Sequence, residues 1–377
     1  MAAQWELAEE APIHGDVLET ILSHVPLIHL VPACHVSNTW KHAVFSSLAH
    51  TRTIKPWLII LTQSTRASHV ITAHAYDPRS HVWVEMKLPH PLKGHPSATA
   101  AVRSSHSTLL YTLSPAEFAF SIDALHLDWH HAPAPRVWRT DPIVARVGQR
   151  VVVAGGACDF EDDPLAVEMY DMESNTWVMC QSMPAMLKGS SGSTWLSVAV
   201  AGEAVLVTEE SSGMTFCFDT VSMKWDGPYD LCPDQSVGYC VTGMLGKRLM
   251  VAGVVGDGED VKAVKLWAVK GGLGSGMMEE VGEMPEELLE KFKGDSDELG
   301  SLEVTWVGNF VYLRNTLEIE ELVMCEVVNG SRCEWRSVRN AAVDGGTRMV
   351  VCGSEVRLED LQSAMVSGIQ TFRTKEL

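Results

Sequence analysis

The chain has 377 residues and a mass of 41.3 kDa, with 46% hydrophobic and 20% charged residues. That composition supports a sizeable core and excludes a disordered, collagen-like or coiled-coil chain. Net charge is −19: residues 1–140 hold 10 basic and 10 acidic side chains, residues 141–377 hold 19 and 38, and so acidic a second part argues against nucleic acid or an anionic membrane as partner.

The N-terminus, MAAQWELAEE, has no basic region followed by an apolar one, so it does not read as a secretory signal. No apolar run reaches the roughly 18 residues of a membrane-spanning helix. The nine cysteines are irregularly spaced and form no Cys-x-x-Cys pair. Reduced, mostly buried thiols in a cytoplasmic or nuclear protein fit better than a disulfide framework or a zinc ribbon.

Residues 10–50 read as a small domain of three short helices. Apolar side chains recur at helical spacing: Val17, Leu18, Ile21, Leu22 and Val25, then Leu27, Leu30, Val31 and Cys34, then Val36, Trp40 and Val44. Asp16 is the expected N-cap of the first helix, and Pro26 and Pro32 punctuate the second.

From Trp57 the texture changes to short β-branched runs closed by Gly, Pro, Asp or Ser, such as WLIILT, RVVVAGGA and RMVVCG. An Asp-x5-Trp pair recurs at Asp77/Trp83, Asp123/Trp129, Asp171/Trp177 and Asp219/Trp225. An aromatic precedes the Asp in three copies (Tyr76, Tyr170, Phe218), and Ile122 stands there in the fourth. A weaker copy is Asn329/Trp335, and a decayed one is expected between VKLWAVKGG and Met278. Residues 57–353 thus hold six units of about 49 residues, within a propeller domain read as 55–355.

Each unit reads as a four-stranded blade. The Asp accepts backbone N–H groups in a turn, and the Trp packs between blades from the returning strand. Gly155-Gly156 is expected to allow a tight exit from an inner strand. The first unit lacks an inner strand and RMVVCG lacks partners, so the latter is expected to complete the first blade. Residues 356–377 read as a C-terminal tail. The fold class is mainly β: a six-bladed propeller after a three-helix domain.

The Gly-Gly, Tyr-Asp and Trp pattern resembles kelch repeats. Residues 13–44 resemble an F-box at Leu18, Ile21, Leu22, Val25, Pro26, Leu27, Leu30 and Trp40; Ile13-His14 replaces the usual Leu-Pro opening. In this order the two resemble plant F-box/kelch-repeat proteins. The resemblance implies that those F-box-like residues, with Ile13, bind a Skp-class adaptor of a cullin–RING ubiquitin ligase. It also implies that the propeller holds a target protein for ubiquitination and degradation, with enzymes of phenylpropanoid or flavonoid metabolism as the suggested class. A non-ligase kelch scaffold and a propeller enzyme are the alternatives.

No catalytic motif accompanies these features: there is no Gly-x-Ser-x-Gly elbow, phosphate loop or His-Glu-x-x-His. Neither a cofactor nor a metal is expected. His126, Asp128 and His130 would share one face of a strand, which reads as a solvated face rather than a metal site. Gly272, Gly274 and Gly276 read as a flexible loop. In the acidic stretch 279–301, Pro285 followed by Glu286 and Glu287 reads as the start of a short helix between blades.

Overall fold

The computed structural model describes residues 15–50, 55–64, 71–87, 101–158, 162–256, 260–294, 299, 301–342, 347–366 and 370–375. The N-terminal helices are α1 (Asp16–Ser23), α2 (Leu27–Ala33) and α3 (Asn38–His50). Gly15, not Asp16, is the N-cap of α1; its φ of 63° suits a residue without a side chain. Asp16 and Glu19 instead sit in the first turn, where carboxylates favour the helix dipole.

Six blades are built from the strands beyond the helices. Blade 1 takes β1 (Trp57–Ser64), β2 (Ile71–Asp77) and β3 (Val82–Lys87). Blade 2 is β4 (Arg103–His106), β5 (Leu109–Leu113), β6 (Glu117–Ser121) and β7 (His130–Pro133). Blade 3 is β8 (Ile143–Val147), β9 (Arg150–Ala154), β10 (Val167–Asp171) and β11 (Thr176–Met179). Blade 4 is β12 (Leu196–Ala201), β13 (Ala204–Glu209), β14 (Met214–Asp219) and β15 (Lys224–Asp230). Blade 5 is β16 (Val237–Leu245), β17 (Arg248–Gly256), β18 (Val261–Lys270) and β19 (Met277–Glu283). After α4 (Glu286–Lys293), blade 6 is β20 (Leu302–Val307), β21 (Phe310–Asn315), β22 (Glu321–Val328) and β23 (Arg332–Arg339).

The last strands return to blade 1. β24 (Thr347–Ser354) pairs antiparallel with β1 from Trp57↔Ser354 to Ser64↔Thr347. It supplies the inner strand that the first unit lacks. The inner strands β4, β8, β12, β16, β20 and β24 contact one another in succession around a closed ring. Residues beyond β24, read from the sequence as a tail, fold into α5 (Leu358–Val366) and β25 (Thr371–Lys375). β25 pairs with β3 and gives blade 1 a fifth strand, which covers an otherwise open edge.

The repeat motif is a staple between blades. Tyr76 pairs with Trp83, Tyr170 with Trp177 and Phe218 with Trp225 across the outer hairpins. The Asp beside each aromatic accepts turn N–H groups: Asp77 from Arg79, Asp171 from Glu173 and Ser174, Asp219 from Val221 and Ser222. Each indole Nε1–H donates to a main-chain oxygen at or just beyond the end of the preceding blade's outer strand. Trp83 reaches Arg339 (2.9 Å), Trp177 reaches Pro133 (2.8 Å) and Trp225 reaches Gln181 (3.0 Å).

Three expectations shift. In blade 2 the aromatic is Phe120, which pairs with His130 and stacks on it at 5.2 Å; Trp129 lies just outside β7, and Asp123 accepts N–H groups from Leu125 and His126 in a longer turn. Ile122 is exposed there. In blade 6 the hairpin closes at Val328↔Arg332, so Trp335 sits two residues beyond the usual place, opposite Cys325, and Cys333 occupies the tryptophan position. In blade 5 the decayed copy lies where the sequence put it, with Val269 pairing with Met278. Gly155 and Gly156 close β9, the second strand, not the inner one. Both have positive φ, and added Cβ atoms would lie 2.4 Å from the Ser191 oxygen and 2.6 Å from that of Thr140.

Blade 3 also buries an ion pair. Arg139 donates to Glu168 at 2.6 Å, with both side chains inaccessible. Arg139 also donates to the Ala166 carbonyl, and Glu168 accepts from the backbone N–H groups of Arg136 and Val137. The pair is held by its shell of hydrogen bonds, so removing one partner strands a buried charge.

The helices share a core with blade 1. Leu18, Leu22, Leu27 and Leu30 pack in one cluster with Trp57, Ile59, Val350, Cys352, Leu358 and Leu361. Arg79, in the β2–β3 turn, donates to the carbonyls of Ser23 (2.8 Å), Leu22 (3.1 Å) and Val25 (3.3 Å) at the end of α1. A positive charge there completes orphan carbonyls and suits the helix dipole.

Three stability changes are expected on thermal and denaturant unfolding. Trp83→Ala, at a buried site, costs about 3–5 kcal/mol, and half-buried Trp177→Ala costs less, about 1–3 kcal/mol; the reverse order would count against the staple. Glu168→Ala costs about 3–5 kcal/mol. Arg79→Ala costs about 2–3 kcal/mol, and an unchanged midpoint would show that the joint does not need it.

Candidate functional site

The propeller has two unlike ends. Because each blade alternates direction, the ends of β24 and β2, at Ser354 and Asp77, lie with the start of β1 at Trp57 on one face. The helices pack on that face, with α5 against α2. The inner strands all begin on the opposite face, where the central channel opens.

On the helical side, the residues singled out from the sequence divide by burial. Leu18, Leu22, Leu27 and Leu30 are interior, Val25, Pro26 and Trp40 are half-buried, and Ile13 lies outside the described residues. Ile21 is 46% exposed, and Val17, four residues earlier on the same helical face, is 63% exposed. Val36 and Phe45 are exposed as well. Helical spacing marks Val17, Leu18, Ile21, Leu22 and Val36 alike as apolar, and only the propeller packed beneath them decides which stay outside.

On the other side, the channel holds a cavity of about 390 Å³. Its charged residues come from the mouth ends of different blades. Arg348 begins β24 and Arg103 begins β4, on adjacent blades 1 and 2. Asp141, just before β8, is ion-paired with Arg103 and lies 4.0 Å from Arg348. Around the rest of the ring stand Glu210 after β13, Tyr239 in β16 and Glu303 in β20, on blades 4, 5 and 6. Burial and the neighbouring Arg348 charge push the Arg103 guanidinium below its ordinary value. Hydroxyl groups of Ser105, Ser197 and Thr242 line the wall; Ser105 accepts the Val144 N–H, and Ser197 bonds Thr242 at 3.1 Å.

The Tyr239 hydroxyl donates to Glu210. Burial pushes the Glu210 carboxyl up to about 7, against the pull of the Tyr239 hydrogen bond and with help from the Glu303 charge. Burial, then the Glu210 charge, raises Tyr239 as well. None of these mouth residues carries a local sequence signal.

His126, Asp128 and His130 do not share a strand face. Residues 123–129 form no strand, and His126 Nδ1 is 2.6 Å from Asp123, which raises its pKa through that hydrogen bond. The loop at Gly272–Gly276 contains one short 3₁₀ turn, and α4 begins directly after Pro285 with its two acids in the first turn. Among the described residues no helix is long and apolar enough to cross a membrane.

An acid that holds its proton more tightly in the folded than in the unfolded chain loses stability as pH rises between the two values, here from the ordinary 4.5 to about 7. Glu210→Gln removes that loss and keeps an acceptor for Tyr239. The variant is expected to gain on the unsubstituted chain as melts move from about pH 5 to about pH 8; a constant difference would show that Glu210 does not titrate in this window.

Residues 15–50 match the F-box domain. Over 387 aligned residues the chain is 42% identical to F-box/kelch-repeat protein At1g23390 of Arabidopsis thaliana, covering 98% of this chain and 96% of that protein. Identity at that level along nearly the full length, on a chain whose helical segment precedes six blades, has one reading: the chain belongs to the F-box/kelch-repeat proteins.

Proposed function

We propose that this chain is the substrate-recognition subunit of an SCF-type cullin–RING ubiquitin ligase, in the cytoplasm or nucleus. The F-box docks a Skp-class adaptor, and the propeller holds a target protein. The observation that carries this reading is the exposed apolar pair Val17 and Ile21 on α1, on the face away from the channel mouth. Contiguous exposed apolar side chains on a short helix favour a protein partner over water. The role is to place a target near a ubiquitin-charged enzyme, so the contribution to rate is proximity and orientation, and this chain performs no bond chemistry itself. The family resemblance makes a phenylpropanoid or flavonoid biosynthetic enzyme the first target to try.

Deleting residues 1–50 would strip a shared core from blade 1, so surface substitutions are the cleaner test. Val17→Asp with Ile21→Asp is expected to weaken capture of a purified Skp-class adaptor at least about tenfold, each charged side chain removing a buried apolar contact. The melting temperature should stay within the spread of replicate melts. Undiminished capture would overturn the assignment of this face. Failure of the unsubstituted chain to bind any Skp-class adaptor would leave a kelch interaction scaffold as the function.

A further inference from the structure

We infer that the channel mouth is the target-binding site, and that it reads a protruding loop of the target carrying an acidic side chain next to an apolar one. The inference rests on the proposed role of the propeller as a target holder, and adds where the target sits and which chemistry selects it.

Charge at the mouth is polarised. Among the described residues, Arg103 and Arg348 face a single nearby carboxylate, Asp141, so two guanidinium groups share one counter-charge. In a chain of net charge −19 this is an unusual concentration of positive charge, set in a concave polar site. On blades 4, 5 and 6 the lining offers Glu210, bonded by Tyr239, and Glu303, tied to Arg314, in place of a guanidinium group. An incoming carboxylate is therefore directed to the side of blades 1 and 2, where a planar guanidinium can bind it through two parallel hydrogen bonds.

The rim supplies apolar anchors. Trp195 is 62% exposed just before β12, and its carbonyl accepts the Glu210 N–H at 3.0 Å, which sets it beside the mouth. Met186, in the connection leading to it, and Leu317, between β21 and β22, are exposed on the same face. Tryptophan and arginine are the residue types that most often carry interface energy. These side chains stand outside the cavity, beyond the reach of a small molecule confined within it, and so favour a protein loop as occupant.

The floor has an open donor. Trp306 Nε1–H is buried without a hydrogen-bond partner. The indole lies over Gly243 of the neighbouring inner strand, where a Cβ would stand 2.0 Å from Trp306 Cδ1. A carbonyl oxygen of an inserted loop satisfies that donor, which otherwise costs the folded chain a desolvated N–H. A cavity of about 390 Å³ admits a few side chains and no folded domain.

The test pans a phage-displayed library of random heptapeptides on the immobilised full-length chain, then titrates the best peptide, fluorescently labelled, against variants. Recovered sequences are expected to share an Asp or Glu beside an aromatic or aliphatic residue. Arg348→Ala and Trp195→Ala should each weaken binding about tenfold or more, with melting temperatures unchanged because both side chains are substantially exposed. Arg373→Ala, on the outer strand β25, should leave it unchanged, and rising salt should weaken it. Recovery of no peptide, of peptides without a shared acid, or of peptides bound equally well by R348A and W195A would overturn the inference. Binding is read without adaptor, so a failure of adaptor docking leaves this result standing. Adaptor capture retained by R348A and W195A separates the two sites.

Discussion

The pairing of β24 with β1 is the constraint on which the rest of this structure depends. It joins residues nearly a whole chain apart, from Trp57↔Ser354 to Ser64↔Thr347. Closing so long a loop is entropically costly, though the cost grows only slowly with length. What offsets it is collective. Six inner strands come into a closed ring, the inner edge of blade 1 is covered, and each blade packs on its neighbours. Without that ladder no channel exists, and Arg348 does not stand beside Arg103.

The same strand decides how the two parts of the chain are joined. β24 ends on the face where α1–α3 pack, and the chain passes directly into α5, which lies against α2. Three short helices enclose too little apolar surface to be stable alone. Here they complete their core with Trp57, Ile59, Val350 and Leu358 and are tied to the β2–β3 turn through Arg79. One body therefore carries an apolar helical face at one end and a charged cavity at the other. A chain that works by holding two proteins at a set distance gains from such a joint, because a loose one would spread the target over many orientations.

How well the motif could be read depended on how local its physics is. Tyr76, Asp77 and Trp83 lie within one hairpin, and the Asp–turn and aromatic–aromatic contacts act inside it. Counting residues between Asp and Trp works wherever the turn keeps its length, as in blades 1, 3 and 4. It misplaced Trp129 and Trp335 because the turn of blade 2 is longer and that of blade 6 shorter, and a turn's length is set by its own hydrogen bonds and packing. The blade 5 copy reads as decayed because the tryptophan position is taken by Met278, a flexible apolar side chain that fills the same gap.

Periodicity alone determined the helical start, the six β units, the return of RMVVCG to the first blade and the aromatic staples. Each is written in residues close together in the chain or repeated at a fixed interval. Tertiary structure alone decided which helical side chains stay exposed, since Leu18, Ile21 and Leu22 look alike until blade 1 covers two of them. It alone decided the channel mouth as well. Arg103, Asp141, Glu210, Tyr239, Glu303 and Arg348 come from six separate blades and share no spacing. A ring brings together the ends of strands that are distant in sequence, and no pattern along the chain records which ends will meet.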